Sequence, residues 1–374
     1  MKKLFVISII LVIIIFSYEN NEQLLLKDNT TFNLSSLAVY LENEEGEYEG
    51  SSAIPSKDDG YTFSNAVCEN NIVVEWNSDA WAIIVPNSVA NFRCNLYFDI
   101  RGTAADLIES LYANNQSVLA YDESNNLRYI GIDPSNYVLF NNELWRIIGV
   151  FNEDTHGIRG EKLIKLVKND SIGEIAWDND NYNNWNESSL NGILNSDYFY
   201  SNGSYANLGL DVNARDMVET VTWKLGGVDG FTASARTFYE SERGNSVDEG
   251  NPVTWQGKVA LIYPSDYVYA TGGSNNNSRE ECLSSDTWTS SGATECSNNN
   301  WLYKNLIYWT LTHRIGAHSL VFAVGENGIV YCQPANASES AAYNIHDCYP
   351  SVYLKSEVSI IEGNGSKTNP YILA

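Results

Sequence analysis

Two aspartates in a polar stretch of the sequence have the residue type and spacing of metal ligands. Asp178 and Asp180 lie within residues 177–187, WDNDNYNNWNE, at the spacing of the first ligands of an EF-hand. The glycine and the distal glutamate of an EF-hand are missing there, so the metal-binding interpretation is a looser calcium loop. The alternative is a polar turn that caps the following helix.

Two glutamates suggest a different chemistry. Glu240 and Glu242 lie two residues apart and would point in the same direction from a strand. Paired carboxyl groups can hydrolyse a glycosidic bond when they flank the sugar at a separation of about 5–9 Å. In a chain with 47 aspartates and glutamates, such close pairs also arise by chance. We favour an exposed charged turn in which Arg243 is the salt-bridge partner.

Nucleophilic catalysis would need a histidine placed beside a serine or a cysteine. The sequence contains 4 histidines, and no G-x-S-x-G motif precedes any of them. His313 and His318 are five residues apart, which does not match the H-E-x-x-H zinc motif. These patterns give no basis for assigning a catalytic residue.

The cysteines fall along the chain as three neighbouring pairs, and we expect the disulfides Cys68–Cys94, Cys282–Cys296 and Cys332–Cys348. Six cysteines allow fifteen connectivities, so nearest-neighbour pairing is one choice among them. The absence of a C-x-x-C motif argues against a zinc framework. Such disulfides would place the chain in an oxidising compartment.

The N-terminus has the pattern of a secretory leader, because Lys2 and Lys3 precede an apolar run from Leu4 to Phe16. Residues 1–18 are expected to be either a cleaved signal peptide or an uncleaved membrane anchor. Both interpretations stay open, since the run is short for a helix that spans a bilayer. The two lysines orient the N-terminus inside the cell and the remainder outside. The membrane is therefore expected as a partner only through this segment.

The charge balance excludes one class of partner. The chain carries 22 basic and 47 acidic residues, for a net charge of −25. Nucleic acids would be repelled, because proteins bind them by neutralising phosphates with lysine and arginine. The acidic excess is instead typical of a solvated extracellular surface.

Between the leader and residue 125 the sequence changes from a mostly polar stretch to one in which apolar and polar residues alternate. Residues 19–50 are expected to be a polar linker with one short strand at SLAVYLE. Residues 51–100 are expected to form a small antiparallel β domain stapled by the first disulfide, with strands near Tyr61–Val67, Ile72–Trp76, Ala80–Val85 and Phe92–Phe98. Residues 101–125 are expected to contain a connecting helix that begins after Thr103, a typical N-cap residue.

Residues 126–374 are expected to form an α+β domain in which short antiparallel strands outnumber helices. YVLFNNELWRIIGVF predicts two strands joined by an Asn-Asn turn, and GENG predicts the turn of a second hairpin. NESSLNGILNSDYF predicts a helix. The tail GNGSKTNPYILA is expected to be an exposed end.

The tryptophans divide by context into core and recognition candidates. Trp145, Trp223 and Trp309 lie in apolar strand contexts and are expected in the core. Four others lie in polar loops and are expected to be exposed: Trp177, Trp185, Trp288 and Trp301. Residues 305–311 predict a core strand whose rims hold Trp301 on one side and His313–Arg314 on the other. The candidate ligand-binding residues are therefore Trp185, Trp288, Trp301, His313 and Arg314.

A series of landmarks supports a family resemblance: LRYIG, NNELWRIIGVF, NNWNESSLNGIL, VTWKLGG, FYESERG, TWQGKVALIYPSDYVYATGG and PSVYLKSEVSIIEGNGSKTNPYIL. Residues 51–373 resemble an exported surface-protein family of low-GC Gram-positive bacteria with a C-type-lectin-like domain, related to formylglycine-generating-enzyme-like folds. The resemblance implies a C-type-lectin-like domain at 126–374 preceded by the small antiparallel β domain. It implies paired terminal strands and long loops on one binding face, but no ligand or activity.

Two comparisons with these relatives limit the expected chemistry. Sugar-binding calcium lectins of this fold use Glu-Pro-Asn or Gln-Pro-Asp with a Trp-Asn-Asp strand, whereas here Gln333-Pro334 precedes Ala335 and no Trp-Asn-Asp occurs. Formylglycine-generating enzymes use a redox cysteine pair near the C-terminus. Cys332 and Cys348 have a similar position in the sequence, although a structural disulfide is the favoured interpretation.

The sequence thus predicts an exported, cell-surface binding or adhesion protein without catalysis, whose ligand is an unidentified extracellular glycan or protein. No cofactor is expected, with calcium as the one option. Two alternatives remain open: an extracellular hydrolase or oxidoreductase on the same fold, and a structural surface subunit.

Overall fold

A computed structural model describes residues 12–13, 36–43, 45–56, 59–77, 80–85, 93–114, 117–231, 233–289, 293–335 and 345–374. Most of the predicted leader lies outside these ranges, as do residues 336–338, which follow the Gln333-Pro334-Ala335 stretch compared above with calcium lectins. The chain divides into two compact units, Met1–Gly102 and Thr103–Ala374. Among the described residues, no helix is long and apolar enough to cross a membrane.

The first unit is built from strands β1 Val12–Ile13, β2 Ser36–Glu42, β3 Tyr48–Ser51, β4 Tyr61–Cys68, β5 Glu75–Asn77, β6 Ala82–Val85 and β7 Arg93–Ile100. A 3₁₀ turn covers Glu69–Asn71. A 4-stranded sheet has the order β3-β2-β7-β4, and a 3-stranded sheet has the order β1-β6-β5. The four strands predicted between residues 61 and 98 are present, although the second is shortened to β5.

The predicted linker contains more regular structure than expected. SLAVYLE is strand β2, as predicted, and it continues into a hairpin with β3. Within residues 51–100 β4 pairs with β7 and β5 with β6 in antiparallel fashion, as predicted, whereas β2 from the preceding segment pairs in parallel with β7. Val39 lies opposite Leu96 in that pairing, and both side chains are buried. Alternation in the sequence indicated the strand but carried no information about its distant partner.

The core of the first unit is small and aromatic. Phe63 stacks on Trp76 with ring centroids 4.7 Å apart, and Phe98 packs edge-on against both rings. Cys68 on β4 and Cys94 on β7 lie opposite each other in register and form the predicted disulfide. The bridge joins two neighbouring strands of a unit that can bury little apolar surface.

The second unit contains strands β8 Leu119–Tyr121, β9 Leu127–Tyr129, β10 Tyr137–Phe140, β11 Glu143–Phe151, β12 Leu163–Lys168, β13 Glu174–Ile175, β14 Val221–Lys224, β15 Thr254–Gly257, β16 Val259–Ala260, β17 Tyr308–His313, β18 Leu320–Val324, β19 Val330–Pro334, β20 His346–Asp347, β21 Ser351–Tyr353, β22 Ile360–Glu362 and β23 Tyr371–Leu373. The α-helices are α1 Ala104–Asn114, α2 Glu153–His156, α3 Ser189–Gly192, α4 Val212–Met217, α5 Ala235–Glu242, α6 Pro264–Tyr269, α7 Arg279–Ser284 and α8 Ala293–Ser297. 3₁₀ turns cover Trp185–Glu187, Gly203–Tyr205 and Asp286–Thr289, and a π-helical turn covers Ile193–Tyr198.

Three sheets organise this α+β unit. A 9-stranded sheet has the path β16-β21-β12-β11-β10-β23-β22, with β9 added at β11 and β8 at β9. A 5-stranded sheet has the order β13-β20-β17-β18-β19, and β14 pairs with β15. The Asn-Asn turn between β10 and β11 is confirmed, since Asn141 and Asn142 have φ values of 58° and 57°. Two consecutive positive φ values are typical of the two-residue hairpin turn.

The ends of the second unit are tied into its core. Helix α1 begins as predicted at Thr103, whose hydroxyl accepts a hydrogen bond from the Asp106 backbone N–H at 3.2 Å. Its residues Ala104 and Ile108 are buried in the main core of this unit. The prediction of an exposed C-terminal tail is wrong, because β23 pairs in parallel with β10 and Tyr371 is buried.

Buried charges connect three elements inside the second unit. Asp266 on α6 accepts hydrogen bonds from Arg128 Nη1 on β9 at 2.9 Å and from Lys165 Nζ on β12 at 2.6 Å. Arg128 also donates through Nε to Asp122 at 2.7 Å. The side chains of all four residues are at most 1% exposed. Burial opposes ionisation of Asp266, but Lys165 and Arg128 outweigh it and lower its pKa to about 2.

A second buried pair lies next to this ion network. Glu242 Oε2 accepts a hydrogen bond from Arg243 Nη1 at 2.8 Å, and Glu242 Oε1 accepts one from the Ser265 N–H at 2.9 Å. The predicted exposed turn is therefore wrong, since α5 turns Glu242 into the core and leaves Glu240 on the surface beside Arg236. Burial raises the pKa of Glu242 to about 7, although Arg243 and Ser265 oppose the shift.

Replacing Asp266 should cost far more stability than replacing an exposed partner of the same chemistry. Asp266→Asn leaves Lys165 and Arg128 without their shared counter-charge, and we expect the second unit to lose about 3–5 kcal/mol of unfolding free energy. Guanidinium unfolding of the full chain measures this loss. Glu240→Gln, which breaks only the exposed pair with Arg236, is the matched control and should stay close to wild type. Equal effects of the two substitutions would contradict the role of the network.

Glu242 should make stability fall as pH rises. Between its ordinary pKa of 4.5 and its folded pKa of about 7, the folded protein holds a proton that the unfolded chain releases. Relative to Glu242→Gln, which cannot titrate, wild type should lose up to about 3 kcal/mol between pH 4 and pH 8. Unfolding curves of both proteins across this range measure the difference. A difference independent of pH would show that Glu242 has the same pKa in the folded and the unfolded protein.

Candidate binding site

An open cavity of about 360 Å³ lies on the second unit. Three connecting segments build it: 177–188 between β13 and α3, 248–252 between α5 and β15, and 314–319 between β17 and β18. We call these the site segments. Each one joins regular elements of the core, so loop residues form the cavity while strands and helices fix where the loops begin and end.

Two tryptophans anchor the first site segment to the core. Trp177 donates from Nε1 to the Thr310 carbonyl on β17 at 3.1 Å, and its ring packs against Trp185 with centroids 5.3 Å apart. Both rings are buried, at 0% and 2% exposure. The prediction that these two rings are exposed is wrong. The polar neighbours that made the stretch look like a surface loop point into the cavity, while the two rings point inward.

The other two tryptophans predicted to be exposed are also buried, and neither lines the cavity. Trp288 is 0% exposed and donates from Nε1 to the Cys282 carbonyl at 2.8 Å. Trp301 is 3% exposed, donates to the Tyr129 carbonyl at 2.9 Å and lies under the Arg146 guanidinium. Each ring therefore has a packing role that its polar sequence context did not reveal.

A buried carboxylate locks the three site segments together. Asp248 is 5% exposed and accepts hydrogen bonds from the Gly316 N–H at 2.7 Å and from Asn183 Nδ2 at 3.1 Å. Asn183 also donates from Nδ2 to the Ala317 carbonyl at 3.0 Å, and its Oδ1 accepts from Asn251 Nδ2 at 3.1 Å. Two side chains, Asp248 and Asn183, thereby satisfy polar groups from all three segments. We call this arrangement the Asp248–Asn183 knot.

Asp178 has a structural role in the same wall. Its Oδ1 accepts from the Ser189 N–H at 3.0 Å, and its Oδ2 accepts from the N–H groups of Asp180 at 3.1 Å and Tyr182 at 3.0 Å. Since Ser189 is the first residue of α3, this geometry matches the predicted alternative of a polar turn that caps the helix. Within the described residues, no three His, Cys, Asp or Glu side chains are grouped to hold a metal ion.

The cavity is acidic and rich in amides. Its lining includes the carboxylates Asp178, Asp180, Glu187 and Glu249 and the amides Asn183, Asn184 and Asn251. No lysine or arginine occurs among the described residues that line it. Tyr182, which is 63% exposed, and His318 complete the rim. These groups can accept and donate hydrogen bonds to an uncharged polar or cationic ligand, and they would repel an anion.

His313 and Arg314 are placed differently from one another. His313 is 5% exposed on β17 and lines a small void beneath the cavity. Arg314 lies outside the cavity, with its guanidinium 3.8 Å from the centre of the exposed Phe231 ring. Trp185 lines the same void as His313. Of the five predicted ligand-binding residues, Trp185 and His313 are thus brought together below the cavity floor.

The predicted disulfide between Cys332 and Cys348 does not form, and both thiols are free. Cys332 lies on β19 and Cys348 follows β20, with β17 and β18 between them in the sheet. Three strand spacings amount to about 14 Å, well beyond the reach of a disulfide. Burial raises the pKa of Cys332 to about 12 and that of Cys348 well above its ordinary value, so neither is a ready nucleophile. The second predicted bridge, Cys282–Cys296, is present.

Asp248, Asn251 and Glu249 were not identified from the sequence. They lie in DEGNP, a short polar turn like many others in this chain. Asp248 gains its role from Asn183, 65 residues earlier in the sequence, and from the Gly316 backbone N–H, 68 residues later. No local pattern signals such a long-range hydrogen bond.

Breaking the Asp248–Asn183 knot should loosen the site segments without unfolding the core. Asp248→Asn replaces an acceptor oxygen by a donor, which leaves the Gly316 or Asn183 N–H without its partner at a cost of about 1–3 kcal/mol. We expect faster hydrogen exchange at residues 314–319, measured by mass spectrometry. Asp180→Asn, an exposed carboxylate of the same cavity, should leave exchange there unchanged. Unaltered exchange in Asp248→Asn would contradict the locking role.

Comparison with known proteins gave no match to this chain, whether among family models, curated proteins or solved structures. The resemblance to the surface-protein family and to the C-type-lectin-like fold therefore stays a prediction. The structure itself shows an α+β unit that carries an acidic, amide-rich cavity, and hydrogen bonds of the Asp248–Asn183 knot hold its three site segments together.

Proposed function

We propose that this chain is an exported, cell-surface binding protein that takes an extracellular ligand in the acidic cavity of its second unit. One observation carries the proposal: the Asp248–Asn183 knot holds an open, polar cavity in a fixed shape. A preorganised cavity loses little conformational entropy when a ligand enters, which favours binding. Structural polar groups of the loops are already paired, while Asp180, Glu187 and Glu249 line the open space.

The proposed location is supported by the disulfides. Cys68–Cys94 and Cys282–Cys296 indicate an oxidising environment, which is the extracellular one for most proteins. The net charge of −25 suits a solvated outer surface. Attachment to the membrane through residues 1–18, or their removal as a signal peptide, is the part of the proposal that rests on the sequence alone.

The C-type-lectin-like fold is proposed on three features of the second unit. It is α+β, its last strand β23 pairs with the early strand β10, and its site segments gather on one cavity. Terminal strands that pair and loops that share one binding face are what the resemblance implies. The ligand would therefore be an extracellular glycan or protein, recognised without calcium at Asp178.

Non-catalytic binding is supported by the positions of the residues that the sequence suggested as reactive groups. Glu240 and Glu242 point to opposite environments, one exposed and one buried, and cannot flank a common substrate. The two free thiols are buried with raised pKa values. Asp178 uses both carboxylate oxygens on backbone N–H groups.

An extracellular enzyme is the second candidate, because one contact favours it. His318 Nδ1 lies 3.9 Å from Asp248 Oδ2, and His318 is exposed at the cavity rim. A carboxylate that orients an imidazole beside an open cavity is the arrangement of a general base, and such contacts are often long before substrate binds. A contact of this length orients the His318 ring only weakly, which is why we place this candidate second.

Binding should depend on the cavity carboxylates. An array of glycans and extracellular proteins, probed with the full chain with and without a calcium chelator, identifies ligands. For any ligand found, Glu187→Gln and Glu249→Gln should each weaken binding about tenfold or more, because each removes a charged acceptor whose hydrogen bond is worth about 1.5–3 kcal/mol. Chelation should leave binding unchanged.

Glu357→Gln, an exposed carboxylate outside the cavity, is the matched control and should bind as wild type does. A ligand affinity that the cavity substitutions leave unchanged would contradict the proposal. Turnover of a bound ligand that is lost in His318→Ala would establish the enzyme instead, and ordered polymers of the purified chain would favour a structural subunit.

A further inference from the structure

One face of the larger sheet of the first unit carries a cluster of tyrosines. Side chains alternate along β2 and β7, and Val39, Leu96 and Phe98 are buried in the core on one side. Tyr40 and Tyr97 therefore point to the opposite, outer face. They lie directly opposite each other in the β2–β7 pairing, and their rings stack with centroids 5.1 Å apart.

Edge strand β3 adds a third ring to this outer face. Tyr48 is 41% exposed, and its ring packs edge-on against Tyr97 with centroids 5.0 Å apart. We call Tyr40, Tyr48 and Tyr97 the tyrosine face. Contacts between the rings stabilise the sheet, but none of the three residues is buried, so part of each ring stays in contact with water.

A glycine leaves a gap in the tyrosine face. Gly50 on β3 lies directly opposite Tyr40 and two residues after Tyr48, so it belongs to the same face. Its φ is not positive, and a Cβ added there would meet nothing within 4 Å. The fold therefore does not require glycine at this position. Glycine weakens a strand, and it often marks a place that a ligand or another chain approaches closely.

Carboxylates flank the three rings. Glu42 lies opposite Tyr48, and Asp99 follows Tyr97 on the same face of β7. Their hydrogen-bond donors among the described residues are uncharged, since the Ile100 N–H donates to Glu42 Oε2 at 2.9 Å and the Tyr48 hydroxyl donates to Asp99. Neither carboxylate pairs with a cation within the described part of the chain.

The surroundings of the tyrosine face are acidic as well. Glu45 and Glu47 are exposed between β2 and β3. Arg93 and Arg101 are the only basic residues that the structure describes in the first unit, and Arg101 donates to the Tyr61 carbonyl at 2.7 Å. Arg93 begins β7 four residues before the tyrosine face, about 13 Å away along the strand. Aromatic rings and carboxylates both attract cations, so the two features select the same kind of partner.

We propose that the tyrosine face is a docking surface for a basic segment of a partner protein, and that an arginine side chain of this segment fills the gap at Gly50. A guanidinium group stacks on tyrosine rings and donates hydrogen bonds to carboxylates, which are here Glu42 and Asp99. The surface belongs to the first unit, and it does not depend on the ligand proposed for the cavity of the second unit.

The charge of the chain argues against a second copy as the occupant. Each copy carries a net charge of −25, and two acidic surfaces repel each other. A basic segment is instead attracted from a distance by the carboxylates and held by the rings once it is in contact.

Fluorescence polarisation of a labelled peptide of alternating arginine and serine, titrated with the full chain, tests the proposal. Gly50→Lys fills the gap and places a cation on the tyrosine face, while the open space at this position lets the sheet form as in wild type. We expect this variant to bind the peptide about tenfold more weakly, because it loses the stacking contact and gains a repulsive charge.

Val73→Lys is the matched control. Val73 is 75% exposed outside the strands of the first unit, and its replacement changes the net charge of the chain by the same amount. This variant should bind the peptide nearly as tightly as wild type does.

Carbon-13 NMR of the wild-type chain with labelled tyrosines gives a readout that does not depend on how a variant folds. Each tyrosine resonance is assigned by its loss on substitution by phenylalanine. We expect the ring resonances of Tyr40, Tyr48 and Tyr97 to shift saturably as the peptide is added. Tyr182, at the rim of the cavity, reports on the second unit separately.

Three results would overturn the inference. Wild type that does not bind the peptide has no surface of this kind. Equal affinities of Gly50→Lys and Val73→Lys would show only the general attraction of an acidic chain for a basic peptide. Shifts confined to Tyr182 would place the peptide in the cavity, which removes the docking surface and leaves the proposed function standing.

Discussion

Asp266 is the constraint on which the second unit depends, because it holds two buried cations from different strands. Separating any partner would leave an unpaired charge in the core. The positions of β9, β12 and α6 relative to one another are therefore fixed by the need to pair these charges. Helix α6 in turn packs against β17, and the Leu311 N–H donates to the Ile262 carbonyl just before that helix. The strand that carries His313 and leads into the third site segment is thus positioned from the ion network.

The cavity is also held together by a buried carboxylate, but here the partners of that carboxylate are uncharged. Asp248 is buried without a lysine or arginine beside it among the described residues, and backbone and amide N–H groups from the site segments satisfy it instead. Tryptophan rings hold the first segment from below, as Trp177 does through Thr310. The loops can therefore expose carboxylates and amides to solvent in a fixed arrangement, which is what recognition of a polar ligand requires.

Most features that depend on neighbouring residues were predicted from the sequence, whereas most long-range contacts were not, with the disulfides Cys68–Cys94 and Cys282–Cys296 as exceptions. The Asn141–Asn142 turn, the Thr103 cap and the strand SLAVYLE depend on a few adjacent residues and were all predicted. The buried tryptophans, the open Cys332–Cys348 pair and the paired C-terminal tail depend on partners far along the chain. The site divides in the same way: Asp178 and His313 were singled out, whereas Asp248 gains its role from contacts 65 and 68 residues away.

A crystal structure of the full chain in complex with the ligand that binds best tests the central claim most directly. We predict electron density for the ligand in the cavity, in contact with Asn251 and the rim carboxylates, with Asp248 and Asn183 unmoved beneath it. Ligand density elsewhere on the molecule, with the cavity holding only water, would contradict it.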